Sequence, residues 1–316
     1  MTQQPDHHLH TDVAETTWSL SSIVAALRDS REVTNKVRHR GRVRELPSRV
    51  ALTTIVDGLA ASLFPTHYGR PDLTDESIDY FVGTSLETAL TTLAEQVRRS
   101  LFFASDQDDA ADTDLRRKAT EIIRHFAEQL PAIRALLVSD LLAAFQGDPA
   151  ATSVSEILLC YPGFNAIVHY RLAHVLHQAG TPFIARLISS IAHSITGIDI
   201  HPAAEIGAGF FIDHGTGVVI GETAIIGNNV RLYQAVTLGA RRLPTDGNGT
   251  LIKGRDRHPI IEDNVVIYAG ATILGRITVG RESTIGGNVW LTQSVAPGSV
   301  VTQAQTRHGT DGKSTP

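Results

Sequence analysis

The sequence has little of several residue types and patterns, and each scarcity excludes a class of protein. A single cysteine, Cys160, excludes an intrachain disulfide and favours a reducing cytoplasm. No run of about 18 uncharged apolar residues occurs, so we expect no membrane-spanning helix. The N-terminal stretch has neither a basic region nor an apolar core, so we expect no signal peptide. The net charge of -5 argues against a general binder of nucleic acid or another polyanion.

Motifs for nucleophiles and metals are also scarce. No Gly-x-Ser-x-Gly motif marks a serine nucleophile. The histidines within residues 1–15 have no cysteine or carboxylate framework around them, so we expect a flexible tail there and no metal site. The length of 316 residues predicts about two domains.

Apolar residues recur every three or four positions from about residue 16 to residue 196. This spacing predicts six to eight amphipathic helices. Pro131 is expected to open one of them, and Gly197 to end the last. The sequence therefore predicts an all-α domain over residues 16–196.

After Gly197 the period changes to six. Thirteen positions at this spacing are all aliphatic, and the pattern is interrupted once, after Val236. They are Ile200, Ile206, Ile212, Val218, Ala224, Val230, Val236, Ile261, Ile267, Ile273, Val279, Ile285 and Leu291. A six-residue repeat with glycine and small residues between the aliphatic positions is typical of a hexapeptide parallel β-helix. We expect this domain over residues 197–303, followed by a short tail at 304–316.

The interruption, residues 240–258, is polar and rich in glycine, which predicts a loop that leaves the solenoid. One interpretation is a surface insertion without a role. The other is an arm that reaches into a site on a neighbouring subunit. The charged pair Arg257–His258, just before the repeats resume, favours the arm.

The reactive groups in the repeats are a few histidines and aspartates. A histidine positioned by a carboxylate can act as general base toward a hydroxyl group. His214 follows Asp199 by slightly less than one coil of the predicted solenoid, so the two are expected near the same edge. The spacing does not establish contact, and a structural role for His214 remains the alternative.

Several motifs together resemble the serine O-acetyltransferases, which are hexapeptide-repeat acyltransferases. They are GIDIHPAAEIGAGFFIDHGTGVVIGETAIIG (197–227), RDRHPIIEDNVVIYAGATILG (255–275), IGGNVWLTQSV (285–295) and, upstream, GDPAATSVSEILLCYPGFNAIVHYRLAHVL (147–176). The long N-terminal region and the insertion resemble a long form of this family. The resemblance implies a helical domain followed by a left-handed parallel β-helix.

The resemblance also implies transfer of an acetyl group from acetyl-CoA to the hydroxyl of L-serine, a step of cysteine biosynthesis. His214 would be the general base, and Asp199 would orient its imidazole. The residues that match the serine-binding positions are Asp148, Asp213, Arg257 and His258. Those that match the small residues along the acetyl-CoA groove are Gly239, Ala240, Ala269 and Gly270.

Assembly and partners follow from the same resemblance. It implies a homotrimer or a dimer of trimers, with active sites at subunit interfaces. L-Cysteine can compete at the serine site and is a candidate inhibitor, although the sequence does not decide this. The chain ends at Pro316 without the family's long tail and its terminal isoleucine, so we expect no complex with the next enzyme of the pathway. No metal, nucleic acid or membrane partner is expected, and the expected compartment is the cytoplasm.

Three other functions compete with this interpretation. A related acyltransferase could use a sugar or an amine as acceptor, although Asp148, Arg257 and His258 offer charges for both ends of an amino acid. A zinc enzyme of the γ-carbonic anhydrase type needs three histidines around the metal, and His201 and His214 are not at stacked positions. A scaffold with an inactive site is the third, because a fold does not imply a function.

Overall fold

The computed structural model describes residues 19–33, 45–104, 112–241 and 246–303. The chain forms two compact units, Met1–Arg44 and Glu45–Pro316. The first unit contains one described helix, α1 (Leu20–Val33). The predicted tails at 1–15 and 304–316 lie outside the described residues. The fold and the candidate site belong to the second unit.

Helices form the first part of the second unit. Those in the described residues are α2 (Arg49–Leu63), α3 (Pro65–Tyr68), α4 (Ile78–Ala104), α5 (Asp112–Gly147), α6 (Val154–Cys160), α7 (Pro162–Gln178) and α8 (Pro182–Thr196). Local sequence explains several of their ends. The hydroxyls of Ser48 and Ser153 accept backbone N–H groups at the starts of α2 and α6. Gly197, as predicted, ends α8 in the left-handed conformation with φ 69°.

Pro131 does not open a helix, and that prediction was wrong. It lies inside α5, which runs for 36 residues. The buried stripe continues across it through Phe126, Leu130 and Ile133. An internal proline costs a helix about 3 kcal/mol, and we attribute its tolerance here to packing of this stripe against α4 and α7.

The second part is a prism of three parallel sheets. Face A contains β1 (Asp199–Ile200), β4 (Val219–Ile220), β7 (Thr237–Gly239), β10 (Thr272–Leu274) and β13 (Trp290–Leu291). Face B contains β2 (Glu205–Ile206), β5 (Ile225–Ile226), β8 (Ile260–Ile261) and β11 (Thr278–Val279). Face C contains β3 (Phe211–Ile212), β6 (Arg231–Leu232), β9 (Val266–Ile267), β12 (Thr284–Ile285) and β14 (Val300–Val301). The predicted fold class, helices followed by a left-handed parallel β-helix, is confirmed. Its division into two domains stays a prediction.

The six-residue repeat changes phase after β3, which the sequence analysis did not predict. After Ile212 the next strand ends only at Ile220, because the corner between β3 and β4 is longer than the usual corner by two positions. The strand positions after this corner are Ile220, Ile226, Leu232 and Leu238. The predicted positions Val218, Ala224, Val230 and Val236 each lie two positions earlier. They are also buried, because each repeat points a second small or aliphatic residue inward.

The predicted loop leaves the solenoid between β7 and β8. Val219 of one coil pairs with Thr237 of the next, and Thr237 pairs in turn with Thr272. The segment from Thr237 to Thr272 is almost twice as long as the segment from Val219 to Thr237, and the additional residues form the loop. Positions 242–245 of this loop lie outside the described residues. Asp246 accepts the backbone N–H groups of Asn248 and Thr250 and so closes a turn in it.

One described helix, α5, is long and apolar enough to cross a membrane by length and composition alone, a test that a core helix also passes. Its apolar stripe packs against α4, α7 and β3. It also carries Asp140, whose side chain is completely buried in an ion pair. A core helix of a globular unit accounts for these features.

A buried ion pair joins the helices to the first coil of the prism. Arg171 in α7 donates to both carboxylate oxygens of Asp140, each at 3.0 Å, and to the carbonyls of Ile206 and Gly207. Asp140 also accepts the backbone N–H of Phe210 at 2.8 Å. Burial raises the pKa of Asp140, and Arg171 opposes this shift. The pair therefore holds the end of α5 against the prism.

Candidate active site

The lengthened corner after β3 presents His214 to solvent. His214 has a left-handed backbone, with φ 59°, and 70% of its side chain is exposed. Its Nδ1 lies 3.5 Å from Oδ1 of the neighbouring Asp213, whose side chain is 13% exposed. The imidazole thus projects from the prism with a carboxylate beside one nitrogen. This arrangement suits a proton-transfer group.

Asp199, predicted to orient His214, begins β1 on face A. The corner lies close to it, because Gly217 N donates to Gly197 O at 2.8 Å. Within the described residues, however, no hydrogen bond or ion pair joins Asp199 to His214. The carboxylate beside the imidazole in a single chain is Asp213, and the role of Asp199 stays a prediction.

Asp148, predicted to bind serine, directly follows α5 and faces the same corner. Tyr161 donates its hydroxyl to Asp148 Oδ2 at 2.5 Å, and Ala150 N donates to Oδ1 at 2.8 Å. The bond from Tyr161 lowers the pKa of Asp148 most, followed by the Ala150 amide, and the charge of His214 also lowers it. The same bond raises the pKa of Tyr161. Asp148 is therefore ionised at neutral pH close to His214 and Asp213.

Arg257 and His258 form a second group, at the corner between faces A and B. Arg257 donates to the carboxylate of Glu222, and this bond lowers the pKa of Glu222. His258 is 7% exposed. Burial lowers its pKa to about 4, and the charge of Arg257 contributes. His258 is therefore neutral at physiological pH.

The two groups occupy different edges of the prism. The first, with His214, lies where face C leads into face A, and the second lies where face A leads into face B. Within residues 112–241 and 246–303, no hydrogen bond or ion pair connects them. A single chain thus brings Asp148, Asp213 and His214 together but keeps Arg257 and His258 apart from them.

Sequence reasoning missed three polar residues of these groups: Tyr161, Glu222 and Thr223. Tyr161 lies 13 positions from the carboxylate it contacts, and Glu222 lies 35 positions from Arg257. No local signal singles out Glu222 and Thr223, because other corners of the prism also carry an acidic residue next to a polar one, as at Asp263–Asn264 and Glu282–Ser283.

The small residues predicted to line the acetyl-CoA groove differ in whether the fold itself requires a small residue at their position. Gly270 has φ 73°, and a Cβ there would lie 2.2 Å from Asn288 Oδ1, so the corner itself requires glycine. At Gly239 a Cβ would meet only the Leu274 and Thr237 side chains, the nearer at 2.9 Å. Gly239 ends β7 on face A and Ala240 follows it, whereas Ala269 and Gly270 lie at the edge that carries His214.

The described residues contain no group of three or more histidine, cysteine or acidic side chains that could hold a metal ion.

Comparisons with known proteins point to one family. The family described as "Serine acetyltransferase, N-terminal" matches residues 84–168, and "Bacterial transferase hexapeptide (six repeats)" matches residues 258–293. A plasmid serine acetyltransferase of Synechococcus elongatus is 55% identical over 296 residues, which are 92% of each chain. Serine acetyltransferase 1 of Entamoeba histolytica, solved with L-cysteine, is similar with a TM-score of 0.68 at 36% identity, over 89% of this chain and 97% of that one. A serine acetyltransferase solved with CoA has a TM-score of 0.51 at 30% identity, over 79% of this chain and 96% of that one.

Proposed function

The chain belongs to the serine acetyltransferase family, and on that premise we propose how its residues carry out the reaction. The enzyme transfers the acetyl group of acetyl-CoA to the hydroxyl of L-serine and gives O-acetyl-L-serine and CoA. The observation that carries the residue assignment is the exposed His214 beside the carboxylate of Asp213, with Asp148 near enough for the charge of His214 to lower its pKa.

His214 moves the proton. The carboxylate of Asp213 lies beside Nδ1 of His214 and favours the tautomer in which Nδ1 carries the proton. This leaves Nε2 as the base. Nε2 takes the proton of the serine hydroxyl while the oxygen attacks the thioester carbonyl. The tetrahedral oxyanion then collapses, the C–S bond breaks, and the imidazolium returns the proton to the CoA thiolate.

Serine is held at its two charged ends by the two groups. The ionised Asp148 and the neighbouring Asp213 suit its ammonium and hydroxyl, and Arg257 with His258 suits its carboxylate. L-Cysteine has the same two charged ends and therefore competes for this site. The acetyl-CoA arm runs past Gly239, Ala240, Ala269 and Gly270, where the backbone is accessible. The reaction takes place in the cytoplasm, where the exposed Cys160 stays reduced.

The active site is completed by a second chain. The His214 edge of one prism meets the Arg257–His258 edge of the next, and a threefold ring closes such head-to-tail contacts. A homotrimer, alone or paired with another, follows from this arrangement. It also explains why the serine-binding residues fall on two edges of one chain.

The reaction is tested by following CoA release from acetyl-CoA with the purified protein. We expect release to depend on L-serine and to remain at background with sugars, ethanolamine or other amines as acceptors. Because Arg257 and His258 recognise a carboxylate in this assignment, ethanolamine serves as the matched acceptor that lacks one. Release with a sugar or an amine but not with L-serine would refute the acceptor assignment.

The shared site predicts that two impaired variants restore each other. We expect His214→Asn and Arg257→Gln to be nearly inactive alone at a serine concentration below the wild-type KM. When they are co-expressed and assemble at random, about a quarter of the interfaces receive both intact halves, and about a quarter of wild-type activity returns. Each variant co-expressed with itself is the control. Mixed assemblies without recovered activity would show that the site lies within one chain.

A further inference from the structure

Thr223 makes several hydrogen bonds to the segment that carries Arg257 and His258. Its hydroxyl oxygen accepts the backbone N–H of Arg257 at 2.9 Å and that of His258 at 3.1 Å. Its backbone N–H donates to His258 Nδ1 at 3.0 Å, and its hydroxyl lies 2.9 Å from the same nitrogen. Thr223 thus contacts both the main chain and the imidazole of this segment.

These contacts determine which imidazole nitrogen carries the proton. A backbone N–H can only donate, so His258 Nδ1 must accept and is unprotonated. The hydroxyl of Thr223 already accepts two N–H groups, so its own hydrogen is available to donate to Nδ1 as well. Two donors therefore converge on Nδ1. Neutral His258 carries its proton on Nε2 and offers that N–H to a ligand.

The surroundings hold the ring in this position. A Cβ on Gly221 would lie 2.1 Å from His258 Nε2, so glycine leaves the space that this edge of the ring occupies. Arg276 donates to the carbonyls of Thr223 and His258 and pairs with Asp256 at 3.3 Å. The charges of Arg257 and Arg276 disfavour the protonated ring, while Glu222 opposes them. His258 is therefore a neutral donor in a rigid setting.

We infer that Thr223 is a positioning residue for serine recognition, which holds His258 as the Nε2–H tautomer so that Nε2 donates to the carboxylate of the substrate. This inference rests on the proposed function for the identity of that carboxylate. The tautomer itself is a property of the free protein and can be measured without any substrate. Thr223 does not touch the reacting atoms in this scheme, so its loss acts on serine binding and not on proton transfer.

The first test is nitrogen NMR of protein labelled in its histidines, with His258→Gln used to assign the signal. We expect the chemical shifts of an unprotonated Nδ1 and a protonated Nε2 at neutral pH. A protonated Nδ1 would overturn the inference. The measurement does not depend on activity, so it separates this inference from the proposed function.

The second test compares kinetics of Thr223→Val and Thr223→Ser. Valine keeps the shape but loses the hydroxyl, and we expect about a tenfold higher KM for L-serine with kcat and the KM for acetyl-CoA within about twofold of wild type. Serine restores the hydroxyl and should restore the KM. Thr278→Val is the matched control, because the Thr278 side chain makes no hydrogen bond within the described residues. An unchanged serine KM in Thr223→Val, or an equal loss in kcat and both KM values, would overturn the inference.

Discussion

His214→Asn is expected to lower kcat by about a hundred- to ten-thousand-fold, the range by which a positioned general base accelerates proton transfer. The fold should be retained, because Asn tolerates the left-handed backbone of this corner better than most residues. The prism itself supplies the precedent: Asn229, Asn264 and Asn288 have φ values of 55°, 58° and 56° at other corners. The effect should therefore fall on kcat, with the KM for acetyl-CoA unchanged.

Asparagine is a sharper replacement here than alanine. Asparagine keeps a polar side chain at this exposed corner but cannot take up a proton at neutral pH, so His214→Asn removes the base while changing the corner less than His214→Ala would. The measurement is CoA release at saturating acetyl-CoA and varied L-serine, with circular dichroism and thermal melting on the same samples. His193→Asn, an exposed histidine near the end of α8, is the matched control and should keep wild-type rates. A His214→Asn variant with wild-type kcat would refute the assignment of the base.

The repeat region shows how well a six-residue period predicts the positions of strands. Every predicted position from Ile261 to Leu291 lies on a strand and is buried. From β4 to β7 the strands do repeat every six residues, but the predicted positions lie two residues too early. Val218 and Ile220 are both buried, so the series that begins at either residue consists of small or aliphatic positions. Only the register of β4 against β1, in which Ile220 pairs with Ile200, distinguishes the two series. That register is a property of the folded chain.

Site residues that lie in short sequence motifs could be predicted. Residues that act through contacts remote in the sequence could not. The resemblance supplied His214, Asp148, Arg257 and His258. It did not supply Tyr161, which acts through a carboxylate 13 positions away, or Thr223, which acts through a ring 35 positions away. Their roles follow from the packing of coils and helices, which no local pattern of the sequence contains.

Both proposed halves of the site lie at irregularities of an otherwise uniform prism. The corner that carries His214 is longer than the usual corner, and the pair Arg257–His258 ends the inserted loop between β7 and β8. Regular coils bury aliphatic residues and present few reactive groups. The reactive side chains therefore lie where the repeat is interrupted. The regular coils on either side fix the positions of these side chains along the prism axis.

The buried pair of Asp140 and Arg171 positions one half of that site, and its removal should be costly. We expect Asp140→Ala to lower the free energy of unfolding by about 3–5 kcal/mol, because the guanidinium of Arg171 would remain buried without its counter-charge. Asp148 directly follows the last residue of α5, so a displaced helix end should also raise the KM for L-serine. Urea unfolding at a fixed protomer concentration measures the first effect, and steady-state kinetics measures the second.

Two control variants distinguish the effect of losing the buried ion pair from the effect of losing an exposed one. Glu121→Ala removes an exposed partner of Arg117 on the same helix and should leave the unfolding midpoint unchanged, because exposed pairs contribute little. Asp140→Asn keeps an acceptor for the Phe210 amide and should fall between Asp140→Ala and wild type. If Asp140→Ala unfolded like Glu121→Ala, the pair would not hold α5 to the prism. The position of Asp148 would then have to depend on other contacts, such as the hydrogen bond from Tyr161.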